Sequence, residues 1–167
     1  GRNVNLSVVQ LLQTDIFDIV KDIVERTGIN PRNLTLEVTE SLAINDMERM
    51  KDILGKIKGL GVRIALDDFG TGYSSLSNLN AFPADLLKVD KSFIDKMNTS
   101  DSSKQYVEAI ISIGHIMNFN VISEGVEDPD QLETLRSIGC DYIQGYIWGK
   151  PLSPEKASEL VMDGKSA

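Results

Sequence analysis

One stretch decides how this chain folds, and it reads Val62-Arg63-Ile64-Ala65-Leu66-Asp67-Asp68-Phe69-Gly70-Thr71-Gly72-Tyr73-Ser74-Ser75-Leu76. An apolar, β-branched run ends abruptly in two adjacent carboxylates, and a glycine-rich turn follows. That order predicts a buried strand that delivers two acids to a loop. Two neighbouring carboxylates repel each other, and this repulsion is costly unless a cation or a shared proton compensates their charge. A divalent metal is one interpretation; the other is that Asp68 or Thr71 caps a turn while Asp67 faces solvent.

Composition limits the classes of protein to which the chain can belong. Its 167 residues are 41% hydrophobic and 25% charged, which predicts one domain over residues 1–164 and a frayed tail over residues 165–167. The 25 acidic residues outnumber the 17 basic residues and leave a net charge of -8, which argues against binding to DNA. The single cysteine, Cys140, allows no intrachain disulfide. No apolar run reaches the ~20 residues of a membrane span and no signal peptide is visible, so we expect a cytoplasmic location.

Strand patterns alternate with helix patterns along the chain. The predicted strands cover residues 4–7, 34–41, 62–68, 86–90, 121–123 and 140–146. Apolar residues recur at helical spacing between them; the first helix is predicted to end at Gly28 and the last to begin at Ser153. This order predicts a single parallel α/β sheet, either doubly wound or curled into a barrel. The sequence has no P-loop and no G-x-G-x-x-G motif after a strand, which weakens the nucleotide-binding open sheets.

Every predicted strand ends in polar residues, and this pattern favours the barrel. These residues are Asn5, Glu37 with Glu40, Asp67 with Asp68, Lys88, Glu124 with Glu127, and Gln144. The carboxyl ends of parallel strands meet at one edge, where barrel enzymes assemble their active sites. Carboxylate and amide oxygens suit Mg²⁺ or Mn²⁺ better than zinc. Lys88 either holds a water or a phosphate oxygen there or forms a structural ion pair within the rim.

The same residues resemble those of a known family, the EAL-domain cyclic di-GMP phosphodiesterases of bacterial signalling. The matching stretches are Asn5-Leu6-Ser7, Leu36-Glu37-Val38-Thr39-Glu40-Ser41, the run from Asp67 to Leu76, Leu87-Lys88-Val89-Asp90, Glu124-Gly125-Val126-Glu127 and Gln144-Gly145-Tyr146. Their order and spacing cover essentially the whole chain. The resemblance implies a TIM-like barrel in which two Mg²⁺ or Mn²⁺ ions serve the hydrolysis of cyclic di-GMP to linear pGpG.

The resemblance also implies roles for individual residues. Asn5, Glu37 and Asp67 would bind one metal, and Asp67 with Asp68 the second. Lys88 would position the attacking water. Glu124 would bind metal or assist as a base. The remaining matched positions, which would support the loop, the site or the substrate, are Glu40, Gly70, Thr71, Glu127 and Gln144.

The sequence departs from the family in one respect. It contains no Glu-Ala-Leu triplet, which in the family lies on an earlier strand and supplies a metal ligand. We therefore expect an N-terminally truncated, incomplete TIM-like barrel with about six of the eight strands, and impaired hydrolysis. Its exposed edges predict self-association as a homo-oligomer. A receptor that binds cyclic di-GMP without cleaving it, or a dimerisation module, is the alternative, and a longer parent chain would add GGDEF or sensory domains or a membrane anchor.

Overall fold

Six parallel strands with helices between them form the described part of the chain. A computed structural model describes residues 2–5, 15–39, 47–70, 82–147 and 149. The strands are β1 (Arg2–Asn5), β2 (Leu34–Thr39), β3 (Arg63–Phe69), β4 (Leu86–Val89), β5 (Asn120–Ser123) and β6 (Tyr142–Ile143). The helices are α1 (Ile16–Thr27), α2 (Met47–Gly59), α3 (Lys91–Met97), α4 (Asp101–Ile116) and α5 (Pro129–Ser137), with a 3₁₀ turn at Pro31–Asn33. The predicted terminal helix from Ser153 lies outside the described residues.

The order of the strands distinguishes the two architectures that the sequence left open. The strands lie side by side in the order β1-β2-β3-β4-β5-β6, and every neighbouring pair is parallel. A doubly wound sheet reverses its strand order at a switch point, whereas a barrel adds each strand beside the previous one. The sheet is therefore of the barrel type. Within the described residues β1 and β6 do not pair, so the barrel is open.

The two faces of the sheet carry different side chains because successive strand residues point to opposite sides. Leu36, Ile64, Leu66 and Leu87 are almost fully buried in the hydrophobic core that the helices share with the sheet. The alternate positions face the barrel interior, where they border an open cavity of about 500 Å³. Its lining residues are Asn3, Thr35, Glu37, Arg63, Ala65, Leu86, Ile122, Tyr142, Ile143 and Gln144. The barrel interior is thus polar at many positions.

Most predicted helices and strands are confirmed, with shifted ends. Helix α1 ends at Thr27 and is capped by Gly28, as predicted; the φ of Gly28 is 62°, the left-handed conformation that glycine adopts readily. Strand β6 is shorter than predicted, because the chain turns after Ile143 and Val126 donates its backbone N–H to the carbonyl of Gln144. Helix α3 was not predicted from the sequence. Its seven residues bury only Ile94 and Met97 fully, too few for a clear helical period.

No helix within the described part of the chain combines the length and the hydrophobicity needed to cross a membrane.

Candidate active site

Lys88 lies at the centre of a cluster of acids at the carboxyl ends of the strands. Its ammonium nitrogen Nζ is 2.9 Å from Glu37 Oε2, 3.0 Å from Asp67 Oδ2 and 2.9 Å from Glu124 Oε1. The lysine side chain is only 4% exposed. One buried cation therefore contacts three carboxylates that are far apart in the sequence.

Four neighbouring strands bring this cluster together. Glu37 lies on β2, Asp67 on β3 and Lys88 on β4, while Glu124 directly follows β5. Each side chain occupies an interior position of its strand, and parallel pairing places these positions at the same end of the sheet. The sequence prediction that these four residues lie at one rim agrees with this geometry.

The charges in the cluster alter the protonation of its members. Burial by itself would lower the pKa of Lys88, but hydrogen bonds to Glu37, Glu124 and Asp67 outweigh burial and raise this pKa above its ordinary value. Burial raises the pKa of Glu124, and the nearby Asp67 and Glu37 carboxylates add to that effect against the opposing influence of Lys88. Lys88 is therefore protonated at neutral pH, and Glu124 holds a proton more readily than an ordinary glutamate.

Asp67 and Asp68 reach the rim together because the strand is distorted there. The pairing of β3 with β4 shifts between Leu66 and Phe69, and Asp68 has a φ of 57°. In a regular strand the two aspartates would point to opposite faces. Asp68 instead donates its backbone N–H to Asp67 Oδ1 at 3.0 Å. Burial, then the neighbouring Asp67 and Asp90 carboxylates, raise the pKa of Asp68.

Gly70 follows the distorted segment and packs against two helices. Its φ is 93°, and a Cβ atom added there would lie 3.2 Å from Ile110 Cδ1 on α4 and 3.3 Å from Phe93 Cε2 on α3. A larger residue would meet both an unfavourable backbone conformation and a crowded space. The next residue, Thr71, lies outside the described part of the chain, as does Glu40.

An asparagine on β1 contacts the cluster, and it is not the one that the sequence suggested. Asn3 donates a hydrogen bond from Nδ2 to Glu37 Oε1 at 2.7 Å. Asn5 is exposed and pairs in register with Glu37 at the end of β1. Both asparagines lie on the same face of the strand because they are two residues apart. That spacing was the signal that could have added Asn3 to the predicted site, while the role of Asn5 stays a prediction.

A second group of predicted residues lines a cavity of about 470 Å³ beside the cluster. Its walls are formed by Lys91, Glu124, Gly125, Glu127, Gln144, Gly145, Tyr146 and Gly149. Glu127 accepts a hydrogen bond from Lys91, a residue that was not among the predicted site residues. Gly145 packs against the backbone of Val126 so closely that a Cβ atom would overlap it. The cavity places Gln144 and Glu127 on the Glu124 side of the cluster.

The chemistry of the donors fits a hard divalent cation. Glu37, Asp67 and Glu124 supply only oxygen atoms, and their three negative charges exceed the single positive charge of Lys88. In residues 2–5, 15–39, 47–70 and 82–147, no group of three or more His, Cys, Asp or Glu side chains is already arranged around a metal position. The ammonium of Lys88 occupies the point where the three acids meet, so metal binding would require these carboxylates to reorient.

Comparison with known proteins identifies the family. Residues 2–151 match the family model described as EAL domain. The chain belongs to the EAL domain family. It is 40% identical over 163 residues to the signaling protein YkoW of Bacillus subtilis, covering 98% of this chain and 20% of YkoW. It is 39% identical over 153 residues to the bifunctional diguanylate cyclase/cyclic di-GMP phosphodiesterase MucR of Pseudomonas aeruginosa, covering 92% of this chain and 22% of MucR. The EAL chain thus spans about a fifth of the length of these curated relatives.

Solved EAL structures share its fold. The MucR phosphodiesterase in complex with c-di-GMP superposes with a TM-score of 0.88 at 39% identity, covering 93% of this chain and 63% of that chain. The EAL domain of Mycobacterium smegmatis DcpA gives a TM-score of 0.90 at 33% identity, covering 99% of this chain and 74% of that chain. A calcium and cyclic di-GMP complex of Klebsiella pneumoniae BlrP1 gives a TM-score of 0.78 at 28% identity, covering 87% of this chain and 37% of that chain. The predicted TIM-like α/β fold, open and with six strands, is confirmed.

Proposed function

We propose that this EAL domain binds cyclic di-GMP and hydrolyses it to linear pGpG in a reaction that depends on divalent metal ions. The observation that carries the proposal is the buried Lys88 surrounded by Glu37, Asp67 and Glu124. The names of two relatives support the substrate: MucR and the cyclic di-GMP phosphodiesterase NbdA of Pseudomonas aeruginosa, which is 38% identical over 158 residues.

The metal ligands are proposed from the acids and the amide at the rim. Asn5, Glu37 and Asp67 would hold one Mg²⁺ or Mn²⁺ ion, Asp67 and Asp68 the other, and Glu124 is a further ligand or a base. When bound, such ions stabilise negative charge on a phosphoryl group and lower the pKa of water. The excess of negative charge in the cluster supports this proposal, as does the calcium in the BlrP1 complex.

The residues of the chain itself would then act on water and on the phosphodiester. Lys88, which stays protonated, donates hydrogen bonds to the attacking water or to a non-bridging phosphate oxygen. The water oxygen would form a bond with phosphorus while the bond from phosphorus to the ribose 3′ oxygen breaks. The departing 3′ oxygen would take a proton from solvent to become a hydroxyl, and the ring would open. Glu124 accepts the proton that the water loses. Gln144 and Glu127 line the adjacent cavity and would contact the substrate there.

A purified sample of the 167-residue chain tests the proposal directly. Cyclic di-GMP is incubated with the chain and Mn²⁺ or Mg²⁺, and pGpG is measured by chromatography, with the MucR phosphodiesterase as the positive control. Because the sequence contains no Glu-Ala-Leu triplet, we expect slow, metal-dependent formation of pGpG, well below that of the control. Product formation at the rate of the control would contradict the proposed impairment but not the proposed activity.

The missing triplet favours a second candidate function, a receptor that binds cyclic di-GMP without cleaving it. Calorimetry with Ca²⁺ separates the two functions, because a receptor binds the dinucleotide while the chromatographic assay shows no product. Absence of both binding and product would overturn both proposals and leave a dimerisation module as the remaining function.

We further propose that the chain self-associates through its open edges. Strands β1 and β6 are the two edges of the described sheet, whereas a closed barrel has no free edge. On these strands Val4 is 42% exposed and Tyr142 is 52% exposed. Light scattering should report a dimer or a larger species, and a monodisperse monomer would contradict this.

The name of MucR supports a further proposal, that a diguanylate cyclase domain works beside this EAL domain in a longer protein.

A further inference from the structure

Two lysines three residues apart contact the same short segment, residues 124–127. Lys88 on β4 contacts the side chain of Glu124, whereas Lys91, the first residue of α3, contacts the backbone that directly follows Glu124. The Lys91 ammonium nitrogen is 3.3 Å from the carbonyl oxygen of Gly125 and 3.2 Å from Glu127 Oε1. It is also 2.9 Å from Asp95 Oδ1 on its own helix. Lys91 therefore links α3 to the segment after β5.

The aliphatic part of Lys91 fits against Gly125. The φ of Gly125 is 68°, and a Cβ atom added to Gly125 would overlap the Cγ and Cδ atoms of the lysine. The backbone at Gly125 thus packs directly against the Lys91 side chain at the start of α3, with no space between them for a Cβ atom. The Lys91 ammonium bonds the Gly125 carbonyl and the lysine stem fills the space where a Cβ atom would lie, so one side chain contacts Gly125 at two places.

Glu124 is consequently held at three points. Its backbone N–H donates to the carbonyl of Val89 on β4, its carboxylate contacts Lys88, and Lys91 bonds the carbonyl of the next residue. We propose that Lys91 is a positioning residue for Glu124: by fixing Gly125, it sets where the Glu124 carboxylate meets the Lys88 ammonium. This inference rests on the proposed function only for its effect on catalysis, because the geometry that it predicts exists without substrate.

A purely structural role for Lys91 makes a different prediction. Its side chain is 44% exposed, and ion pairs with that exposure add little to stability. If Lys91 served only to tie α3 to the segment after β5, its loss would loosen that segment without changing the contact between Lys88 and Glu124. An experiment must therefore observe the Lys88 ammonium itself.

The test is nitrogen-15 NMR of the Lys88 ammonium in the 167-residue chain. We expect its protons to exchange slowly with water, because the side chain is buried and bonded to three acids. We expect Lys91→Met to accelerate this exchange about 10-fold and Lys91→Arg to restore slow exchange, since Arg keeps the charge and hydrogen bonds. Lys96→Met is the matched control, because Lys96 is exposed on the same helix and lines no part of the cavity. Unchanged exchange in Lys91→Met would overturn the inference, whether or not the chain hydrolyses cyclic di-GMP.

Kinetics give a second readout when product is formed. A misplaced Glu124 affects the transition state more than the bound substrate, so Lys91→Met should lower kcat about 10-fold and change KM less than about 2-fold. Lys91→Arg should recover most of kcat, and Lys96→Met should match the wild type. A change in KM alone would instead make Lys91 a substrate contact and contradict the positioning role.

Discussion

The two ends of the sheet use acidic side chains in opposite ways. At the amino ends of the strands, Asp85 accepts the backbone N–H of Ile64 at 3.0 Å, and Asp141 accepts that of Val121 at 2.7 Å. At the carboxyl ends, Glu37 and Glu124 contact only side chains among their described partners: the Lys88 ammonium and, for Glu37, the amide of Asn3. Asp67 lies between these cases, since it bonds both Lys88 and the N–H of Asp68.

The amino-end aspartates form a repeated structural device. Each directly precedes a strand, bonds the second residue of the preceding strand in the sheet and contacts one basic side chain: Lys58 at 2.8 Å for Asp85, and His115 at 2.8 Å for Asp141. Each acid thus has one backbone N–H and one basic side chain as partners. At the carboxyl ends, three carboxylates surround one buried ammonium. The single positive charge does not offset the repulsion among the acids and the cost of burying them. The contacts at the amino ends stabilise the fold, whereas the crowding of acids at the carboxyl ends fits the proposed catalytic role.

Lys88→Met should have the largest effect and would test whether the carboxyl end depends on its single cation. The variant leaves three crowded acids uncompensated, so we expect a loss of about 3–5 kcal/mol in the free energy of unfolding at pH 7. Formation of pGpG should fall by about 10³-fold, because a donor to the reacting water or phosphate is lost. Urea unfolding and the product assay measure the two effects. Lys56→Met, at an exposed lysine on α2, is the control and should change neither.

Glu124→Gln should separate function from stability at the same end. Product formation should fall about 10²-fold, while the free energy of unfolding at pH 7 stays equal or rises by about 1 kcal/mol, because an unfavourable buried charge is removed. The pH dependence has a definite sign. The raised pKa means that the folded chain keeps this proton to a higher pH than the unfolded chain does. The wild type should therefore lose stability as pH rises above about 4.5, the ordinary glutamate pKa, and the variant should lack that loss.

Asp141→Ala should show the reverse pattern at the amino end. The N–H of Val121 loses its partner, so the free energy of unfolding at pH 7 should fall by about 1–3 kcal/mol while product formation changes less than about 2-fold. Although burial opposes it, the N–H of Val121 and the His115 ring hold the pKa of Asp141 below its usual range. The stability that Asp141 provides is therefore complete above the ordinary pKa and lost as pH falls through the lowered one. A large loss of activity at full stability would break the distinction between the two ends.

His115→Gln should have the smallest effect. The imidazole and carboxylate of this pair are 43% and 32% exposed, and a pair that solvent reaches contributes less than about 1 kcal/mol. Asp141 keeps its bond to the N–H of Val121 in this variant, so thermal unfolding should shift only slightly. If His115→Gln were as destabilising as Asp141→Ala, the imidazole contact rather than the backbone bond would carry the stabilising role.

The parallel α/β class and the rim of polar strand ends could both be predicted from the sequence. Alternation along a strand and the shared direction of parallel strands are local rules, and they place Glu37, Asp67, Lys88 and Glu124 at one edge without further information. The glycine that ends α1 could likewise be read from the sequence.

The contacts among these residues depend on the tertiary structure. The contact of Lys88 with three acids depends on strand register and curvature. The hydrogen bond from Asn3 to Glu37 depends on the pairing of β1 with β2, and the left-handed Asp68 lies where the pairing of β3 with β4 shifts. Helix α3, and with it Lys91, was not predicted because its short apolar pattern acquires meaning only when packed against the barrel. Such contacts join residues that are distant in the chain, and local periodicity does not encode the distances between them.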